Sequence, residues 1–373
     1  MAYLQLYQPS LAHNFRFLKS LFEAEHVSWG IVSKLLCGNR NYIKELLELG
    51  VKEIHDSRVS NLKTIKELAP EVQTVYIKPP AKRSIKSIVK YADVSMNTEL
   101  ETIRMLSEES GKQGKMHKII IMVEMGDLRE GVLGDDLVAF YEQVFRLPHI
   151  RIIGLGTNLN CLHGVMPSQD KLVQLALYKQ IIELKFNREI PWISGGTSVT
   201  IPLLLNKQIP QGVNHFRIGE TLFFGSDLFT GETIPGMRDD VFELFAEVIE
   251  ITEKPMIPVG ELAANPQGIT LEIDPELYGK TSVRAIIDIG LLDIDPKYLV
   301  FDESKFEVVG SSSDMLVLDL GENASGIQVG DVIPFRLKYM GALGILNSNY
   351  IEKLVKKGDA NAASTQTAAP HRS

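Results

Sequence analysis

The chain has 373 residues, 45% of them hydrophobic and 23% charged, which is the balance of an ordinary globular protein rather than of a fibrous or membrane protein. Its formal net charge of −8, with no long Lys/Arg run, argues against a nucleic-acid-binding surface and favours a small-molecule partner. The length exceeds what one core usually supports, so two domains are expected, although an α/β barrel can take roughly 250 residues as one domain.

The two cysteines, Cys37 and Cys161, are far apart in the sequence and lack Cys-x-x-Cys or histidine spacing. The sequence therefore predicts neither a metal site nor a disulfide framework. The first residues do not have the basic and apolar regions of a secretory signal, and no apolar run approaches the roughly 20 residues that span a bilayer. These features favour a protein of the reducing cytoplasm.

From Leu11 to Gly225, short apolar runs typical of β-strands alternate with amphipathic stretches of helical period. The predicted strands are 29–33, 51–55, 73–78, 92–96, 118–124, 151–156, 191–194 and 213–218. A strand followed by a helix, repeated about eight times, is the pattern of a (β/α)8 barrel of the TIM type. A doubly wound open sheet is the alternative, but it should carry a glycine-rich loop after its first strand, and "SKLLCGN" is not such a loop.

After Phe229 the sequence changes to strand-like runs separated by turns rich in glycine and proline, such as "TEKPMIPVGEL" and "IQVGDVIPF". The sequence thus predicts a barrel over residues 1–228 and a C-terminal, mainly-β domain over 229–357. A helical turn is expected near the end of that domain, in "SNYIEKLVKK". The last residues, 358–373, are poor in apolar side chains and predict a disordered tail.

Candidate functional residues follow the predicted barrel strands, which is where the active sites of such barrels lie. Lys34 comes directly after the first strand, and the polar clusters "DSR", "NTE", "GDLREG", "TNLNC", "GGTS" and "RIGE" follow later strands. Loops are commonly polar, so one cluster alone carries little weight, but their joint placement indicates a site. Because Lys34 follows an apolar run, it is a candidate nucleophile rather than one half of a surface salt bridge.

Two of these clusters are typical of anion sites. "SGGTS" leaves a strand through two glycines, which allow backbone N–H groups to approach a ligand, and then enters a helix whose first turn favours negative charge. "RIGE" offers another glycine after the eighth strand, and barrel phosphate sites commonly use the loops after strands 7 and 8. The alternative is that these glycines only shape turns, and that Arg129 and Arg217 are structural ion-pair partners.

Lys34, "EMGDLREG", "GLGTNLNC", "SGGTS" and "NHFRIGE" resemble, in the same order, the motifs of the alanine/ornithine racemase family of pyridoxal-phosphate enzymes. The resemblance covers nearly the whole chain apart from the tail. It implies an alanine-racemase-type barrel followed by a β-domain, pyridoxal 5'-phosphate as the cofactor, and interconversion of L- and D-amino acids by proton exchange at Cα.

The resemblance also implies a role for each matching residue. Lys34 would bond to the cofactor aldehyde, and Arg129 would lie near the phenolic oxygen of the cofactor and the carboxylate of the substrate. Asn158 would stand beside the ring, and Arg217 would donate to the pyridine nitrogen and so discourage its protonation. The phosphate would be held by Ser198 and by the backbone of Thr197, Gly219 and Glu220.

The usual second base of this family, a tyrosine early in the β-domain, is absent, because Leu291 follows Gly290 in the matching "DIGLLDID". Met315 stands where the ornithine-racemase branch has a histidine, so the sequence leaves the substrate open. The second proton carrier must come from elsewhere. The candidates are Ser313, Asp314 and Tyr350, with Cys161 and His163 as secondary candidates.

The sequence therefore predicts a pyridoxal-phosphate-dependent amino-acid racemase. An aldolase or decarboxylase on the same scaffold, or a non-catalytic cofactor-binding protein, are the alternatives. A racemase needs proton carriers on both faces of Cα, and the barrel supplies Lys34 for one face only. We therefore expect a head-to-tail homodimer, in which the β-domain of one chain closes the barrel mouth of the other.

Overall fold

The computed structural model describes residues 2–264, 268 and 270–358, and the chain divides into two compact units. One unit is built on residues 7–241 with 355–358, and the other on residues 2–6 with 242–354. The first strand, β1 (Tyr3–Tyr7), pairs with a strand of the second unit, which explains why residues 2–6 belong there. The predicted tail lies outside the described residues, apart from Gly358.

The larger unit is a closed barrel of parallel strands with helices between them. Its strands, β2 to β9, are Ser28–Val32, Glu53–Asp56, Gln73–Tyr76, Val94–Asn97, His117–Met122, Ile150–Gly156, Trp192–Thr197 and His215–Ile218. Its helices, α1 to α9, are Gln8–Ala24, Arg40–Glu48, Val59–Leu68, Ile85–Tyr91, Leu100–Lys112, Leu137–Val144, Gln169–Phe186, Ile201–Leu205 and Glu220–Phe224. Each predicted strand overlaps one barrel strand, which confirms the predicted (β/α)8 barrel.

Among the described residues, no helix combines the length and apolar character needed to cross a membrane.

Apolar side chains from neighbouring strands fill the barrel. The register pairs His55 of β3 with Val75 of β4, and Val75 with Val94 of β5, so these side chains share one face of the sheet. Trp192 of β8 packs against the same cluster. The buried members of this cluster are Val75, Val94, Met96, Ile120, Met122 and Ile153. The barrel interior is thus a packed core, and the ends of the strands are left for a site.

The smaller unit is a mainly antiparallel β-domain, as predicted. Its strands, β10 to β16, are Phe242–Pro255, Thr281–Ile287, Leu299–Val300, Glu307–Ser311, Leu316–Asp319, Val332–Leu337 and Glu352–Lys356. Among the described residues the sheet runs in the order β12-β15-β10-β11-β14-β13, with β1 beside β10 and β16 beside β1. One helix, α10 (Tyr339–Asn347), lies between β15 and β16.

The predicted helical turn in "SNYIEKLVKK" is wrong. The helix α10 comes before this segment, and Glu352–Lys356 forms β16 instead. Pairing of β16 with β1 supplies inter-strand backbone hydrogen bonds, which override the local helical pattern. The helix itself was missed because it contains two glycines. At one of them, Gly341, a Cβ would lie 2.7 Å from Cβ of Tyr298, so close packing explains a residue of poor helix propensity.

Gly196, near the end of β8, provides a test of the barrel packing. A Cβ at this position would lie 2.0 Å from ring carbons of the fully buried Phe216. Because the ring has no free space, we expect Gly196→Ala to lower the free energy of unfolding by about 1–3 kcal/mol, measured by thermal unfolding. Gly310→Ala in β13 is the control, since its new Cβ would approach Val317 no closer than 3.8 Å. Equal stability of the two variants would contradict this packing.

Candidate active site

Lys34 begins a short 3-10 turn, Lys34–Leu36, directly after the first barrel strand, and its side chain is exposed. The residue before it ties this turn to the next strand. The Ser33 hydroxyl donates to Oδ2 of Asp56 at 2.8 Å, and the Ser33 N–H donates to the carbonyl of His55 at 2.8 Å. The position of Lys34 is therefore fixed by β3 as well as by β2.

Asp56 is fully buried, and burial raises the pKa of its carboxyl group. Its Oδ1 accepts the backbone N–H of Arg58 at 2.9 Å and Nδ2 of Asn61 at 3.1 Å. The carboxyl group is thus fully committed to holding the turns after β2 and β3. Asp56 therefore supports Lys34 indirectly, through Ser33, and is not itself a candidate base.

The charge of Lys34 acts on two other residues of the barrel. Burial raises the pKa of the Glu220 carboxyl, and the Lys34 ammonium opposes that shift. Burial likewise raises the pKa of the Cys161 thiol, with Arg129 and Lys34 among the charges that act on it. The folded chain thus brings Glu220 and Cys161 each within electrostatic range of Lys34, although the three residues are far apart in the sequence.

Arg217, in β9, is a buried cation with only 3% of its surface exposed. Its Nη1 donates to the carbonyl and the hydroxyl of Ser194 at 2.6 and 2.5 Å, and its Nη2 donates to the carbonyl of Thr157 at 2.6 Å and to Oδ1 of Asn158 at 2.8 Å. All four acceptors are neutral. Burial lowers the pKa of Arg217 to about 10, so the guanidinium remains charged at neutral pH.

Asn158 and Arg129 meet at one carboxylate, that of Glu130. Asn158 Nδ2 donates to Oε1 of Glu130 at 2.5 Å, and Arg129 donates to the same oxygen through Nη2 at 2.6 Å and to Oε2 through Nε. This hydrogen-bonded ion pair raises the pKa of Arg129. Arg129, Asn158 and Arg217, all predicted from the sequence, are therefore joined in one network through Glu130, which the sequence interpretation did not single out.

The residues after β8 and β9 form a cluster of hydrogen-bond donors. The backbone N–H groups of Gly219 and Thr221 are directed at Oγ of Ser198, at 3.4 and 3.2 Å. The hydroxyl Oγ1 of Thr221 is buried and has no hydrogen-bond partner among the described residues. The Ser198 hydroxyl with the two N–H groups directed at it is a set of donors that fits an anion such as a phosphate. The Thr197 N–H, another predicted phosphate ligand, donates instead to Oγ1 of Thr200 at 3.2 Å.

The two glycines of "SGGTS" have packing roles of their own. A Cβ at Gly195 would lie 3.1 Å from Leu172, and one at Gly196 would collide with Phe216. The Phe216 ring on β9 therefore requires a glycine at position 196, whereas the helix beside β8 only packs tightly against position 195. The donor cluster therefore rests on Ser198, Gly219 and Thr221 rather than on these glycines.

The secondary candidates Cys161 and His163 lie in a loop held by Asp127. The Asp127 carboxylate, only 1% exposed, accepts the backbone N–H groups of four residues of this loop. They are Cys161 at 2.9 Å, Leu162 at 2.8 Å, His163 at 3.2 Å and Val165 at 3.3 Å. His163 Nδ1 donates to the Asp127 carbonyl at 2.9 Å, so both the backbone and the ring of this histidine are held by Asp127.

The remaining candidates, Ser313, Asp314 and Tyr350, belong to the β-domain. The Ser313 hydroxyl donates to Oδ2 of Asp314 at 2.5 Å, and Tyr350 is 84% exposed. The N–H of Leu291, which replaces the family tyrosine, donates to the carbonyl of Ser312 at 2.9 Å, so Leu291 adjoins the "SSSD" loop. Their proposed role as second proton carrier remains a prediction.

Solved structures define the class of this fold. An alanine racemase from Bartonella henselae with covalently bound pyridoxal phosphate superposes with a TM-score of 0.73 at 16% identity, covering 95% of this chain and 99% of that chain. The architecture is thus that of the alanine racemases, a parallel (β/α)8 barrel with a C-terminal β-domain.

Sequence comparison is more specific. Residues 8–227 match the family model of the alanine racemase N-terminal domain. An ornithine racemase from Acetoanaerobium sticklandii is 37% identical over 92% of this chain and 96% of its own length. A lysine racemase from Thermotoga maritima is 31% identical over 87% of this chain and 89% of its own. The chain belongs to the alanine racemase N-terminal domain family.

The Asp127 carboxylate allows a test of the loop by pH. Burial raises the pKa of Asp127, but the four backbone N–H groups outweigh burial and hold it below its ordinary value. A lowered folded-state pKa gives stability that is complete above the unfolded-state pKa, about 3.9, and is lost as the pH falls through the folded value. We expect Asp127→Asn to reduce the free energy of unfolding by about 1–3 kcal/mol at neutral pH, with the difference shrinking below about pH 4.

The control for this measurement is Asp302→Asn, because exposed Asp302 also accepts a backbone N–H, that of Ser304 at 3.1 Å. Thermal unfolding of both variants is followed across the acidic range. A constant difference between wild type and Asp127→Asn at all pH values would show that the ionised carboxylate does not hold the loop.

Proposed function

We propose that this chain interconverts the L and D forms of an amino acid whose side chain ends in an amine. Its family and its two racemase relatives identify it as a pyridoxal-phosphate-dependent amino-acid racemase. The observation that carries the proposal is that one barrel unit holds Lys34, the buried Arg217 and the donor cluster of Ser198, Gly219 and Thr221. An aldolase or decarboxylase is not favoured, because both curated relatives are racemases.

The donor cluster supports a phosphate site. Ser198 with the N–H groups of Gly219 and Thr221 would hold the cofactor phosphate, and the unpaired buried hydroxyl of Thr221 would gain a partner there. The backbone of Glu220 completes the proposed set, and the Thr197 N–H would join it by exchanging its present acceptor, Oγ1 of Thr200, for the phosphate. No carboxylate is hydrogen-bonded to these donors in the described part of the chain, so an anion would meet donors only.

Lys34 would hold the cofactor covalently and would move the proton at Cα on one face of the substrate. When bound, pyridoxal phosphate supplies the electron sink that makes this proton acidic. Arg217 would donate to the ring nitrogen. Since Arg217 is itself a charged donor, it disfavours a proton on that nitrogen, which restrains transamination and favours simple proton exchange.

Arg129 would bind the carboxylate of the substrate, and Asn158 would orient the ring. Both are already bound to Glu130, which leaves Arg129 in a fixed position with 40% of its side chain exposed to receive a second anion. Glu130 thus positions two proposed ligands at once. A bidentate guanidinium is suited to such a carboxylate because its planar fork presents several donors.

The proposed substrate class rests on the two relatives, which are named for ornithine and lysine. A terminal ammonium group needs an acceptor, and a carboxylate is the strongest. Asp314, Glu220 and Asp293 are the candidates. Incubation of the protein with single L-amino acids in deuterated water tests the proposal, with ornithine, lysine, arginine, alanine and serine as the panel. We expect deuterium at Cα and formation of the D form without net loss of the amino acid, fastest for ornithine or lysine.

For the second proton carrier we propose a head-to-tail homodimer, in which the "SSSD" loop or Tyr350 of one chain faces the barrel mouth of the other. Support comes from the need for carriers on both faces of Cα and from Leu291 in place of the family tyrosine. Ser313 and Asp314 form an exposed hydrogen-bonded pair, and Tyr350 is largely exposed to solvent. Each of these groups is therefore accessible on the isolated chain. Either group would then act as acid or base on the substrate.

The role of Lys34 is tested by Lys34→Ala. We expect the purified wild type to be yellow and the variant to lose the visible absorption band, with racemisation reduced by at least about 10²–10⁴-fold. The control is Lys82→Ala, because Lys82 also begins a 3-10 turn after a barrel strand but pairs with Glu101 at 3.6 Å on the surface. If Lys34→Ala keeps a borohydride-reducible link to the cofactor at its native site, the assignment is wrong.

The shared site is tested by mixing two inactive variants. We expect Lys34→Ala chains and Asp314→Asn chains to regain activity together, since one mouth of the mixed dimer then has both groups. Ser313→Ala and Tyr350→Phe chains are tested in the same way, because the true carrier should cost about 10²–10⁴-fold in rate. No recovery, in subunits shown to exchange by mass spectrometry, would place both carriers on one chain.

A further inference from the structure

Four side chains below the proposed site are hydrogen-bonded in series inside the barrel. Arg217 Nη1 donates to Oγ of Ser194 at 2.5 Å, and this hydroxyl contacts Nδ1 of His215 at 2.7 Å. His215 Nε2 lies 2.8 Å from Oε1 of Glu53. These four residues, the Glu53 chain, connect a buried guanidinium to a carboxylate through a hydroxyl and an imidazole.

The barrel geometry explains why they meet. His215 and Arg217 are two residues apart on β9, so their side chains point to the same face, and Ser194 lies on the adjacent strand β8. Glu53 starts β3, and β2 lies between β3 and β9. At Gly30 of β2 a Cβ would lie 2.6 Å from Oε1 of Glu53, so the glycine of the middle strand makes room for the contact across it.

Ser194, His215 and Arg217 of the chain are buried. His55, which also binds Glu53 Oε1 at 2.5 Å, shares a sheet face with Val75 of the apolar cluster. Gln73 Nε2 donates to the other oxygen of Glu53, Oε2, at 2.6 Å. Trp192 stacks on His215 with ring centroids 4.2 Å apart. Hydrogen bonds in such a low-dielectric interior are stronger than in water, and a group left without its partner is costly.

The chemistry of the two end groups fixes the direction of the outer bonds. A carboxylate only accepts, so His55 and His215 both donate to Glu53 through Nε2, and a guanidinium only donates, so the Ser194 hydroxyl accepts from Arg217. In the neutral tautomer of His215 that carries its proton on Nε2, Nδ1 accepts from the Ser194 hydroxyl. Burial raises the pKa of Glu53, but the two imidazoles outweigh burial and hold it well below its ordinary range, so the carboxylate is charged. All donors of the chain therefore point from Arg217 towards Glu53.

We propose that Glu53, His215 and Ser194 are positioning residues, which hold Arg217 charged and correctly oriented without a carboxylate in direct contact. On its other side, Arg217 reaches Glu130 in the same indirect way, through Asn158. Each of the two carboxylates is thus linked to the cation through intervening side chains, and neither is hydrogen-bonded to the guanidinium. The proposal rests on the proposed function in one respect, that Arg217 serves the ring nitrogen of the cofactor.

The first test needs no cofactor and no substrate. Apoprotein labelled with ¹⁵N-histidine is studied by NMR, with the His215 signals assigned from their loss in His215→Gln. We expect His215 to carry its proton on Nε2 at neutral pH, and Ser194→Ala to shift the Nδ1 resonance. A proton on Nδ1 in the wild type, or an Nδ1 resonance that Ser194→Ala does not move, would overturn the proposal.

Ser95→Ala is the matched control. Ser95 is also fully buried on a barrel strand and its hydroxyl contacts Nε2 of a buried histidine, His117, at 2.8 Å, but this pair is not bonded to Arg217. We expect Ser95→Ala to move the His117 signals and to leave those of His215 unchanged. The two variants remove the same group from similar surroundings, so a general loss of core packing would affect both.

The second test uses the holoenzyme. We expect Ser194→Ala and Glu53→Gln each to lower kcat about 10-fold with KM nearly unchanged, as is typical when the residue behind a ligand is removed, and Ser95→Ala to lower neither. The double variant should be little worse than either single variant, because both break one chain. Multiplying effects would mean that Ser194 and Glu53 act independently and would sink the proposal. If Glu53→Gln does not fold, Ser194→Ala alone carries the test.

Two further outcomes separate this proposal from others. A wild type that binds the cofactor without racemising any amino acid would refute the proposed function. The visible band of the bound cofactor would still report on Arg217, and its shift in Ser194→Ala but not in Ser95→Ala would support the Glu53 chain.

Glu53, His55 and His215 are also close enough to ligate a metal ion. Stoichiometric Zn²⁺ that shifts both histidines in the wild type but not in Glu53→Gln would show a metal site and overturn the proposal.

Discussion

The constraint on which the barrel site depends is the burial of a guanidinium, that of Arg217. Removing a charged group from water costs several kcal/mol even after the protein relaxes, roughly in proportion to how completely it is enclosed. Four hydrogen bonds to neutral oxygens offset part of that cost. The carboxylate of Glu130 opposes the effect of burial on the pKa of Arg217. A carboxylate in direct contact would stabilise the cation more, but it would also neutralise the local charge. The arrangement leaves the guanidinium charged at neutral pH.

A closed parallel barrel is well suited to such an arrangement. All its strands point the same way, so residues at their carboxyl ends meet on one rim even when the sequence separates them widely. Arg129, Asn158 and Arg217 come from three different places along the chain and still share one hydrogen-bonded network. The strands also place residues at their beginnings, such as Glu53 and His215, below that rim, where they contact the same network from the core.

The sequence predicted what depends on local pattern. Alternation of apolar runs and helical stretches identified all the barrel strands. The position of Lys34 after the first of them predicts a reactive lysine, and that role remains a prediction. Glu130 was not recognised because an acidic residue next to an arginine in a loop looks like ordinary surface. Glu53 and His215 were missed because single polar residues within apolar runs give no periodic signal; only the closed barrel shows that they meet. The helical turn predicted for the end of the β-domain was wrong because β16 pairs with β1, and a pattern read within one short segment does not show a partner so distant in the sequence.

The bonding of Asp127 links two loops that are separate in the sequence. This carboxylate follows β6, while the N–H groups it accepts follow β7, so neither loop has its observed shape without the other. For protein engineering, the loop that carries Asp127 and the loop of residues 157–165 must therefore be exchanged together. A graft of residues 157–165 from a relative would need its own partner at position 127, and libraries that diversify one loop alone would sample mostly chains in which the rim has lost its order.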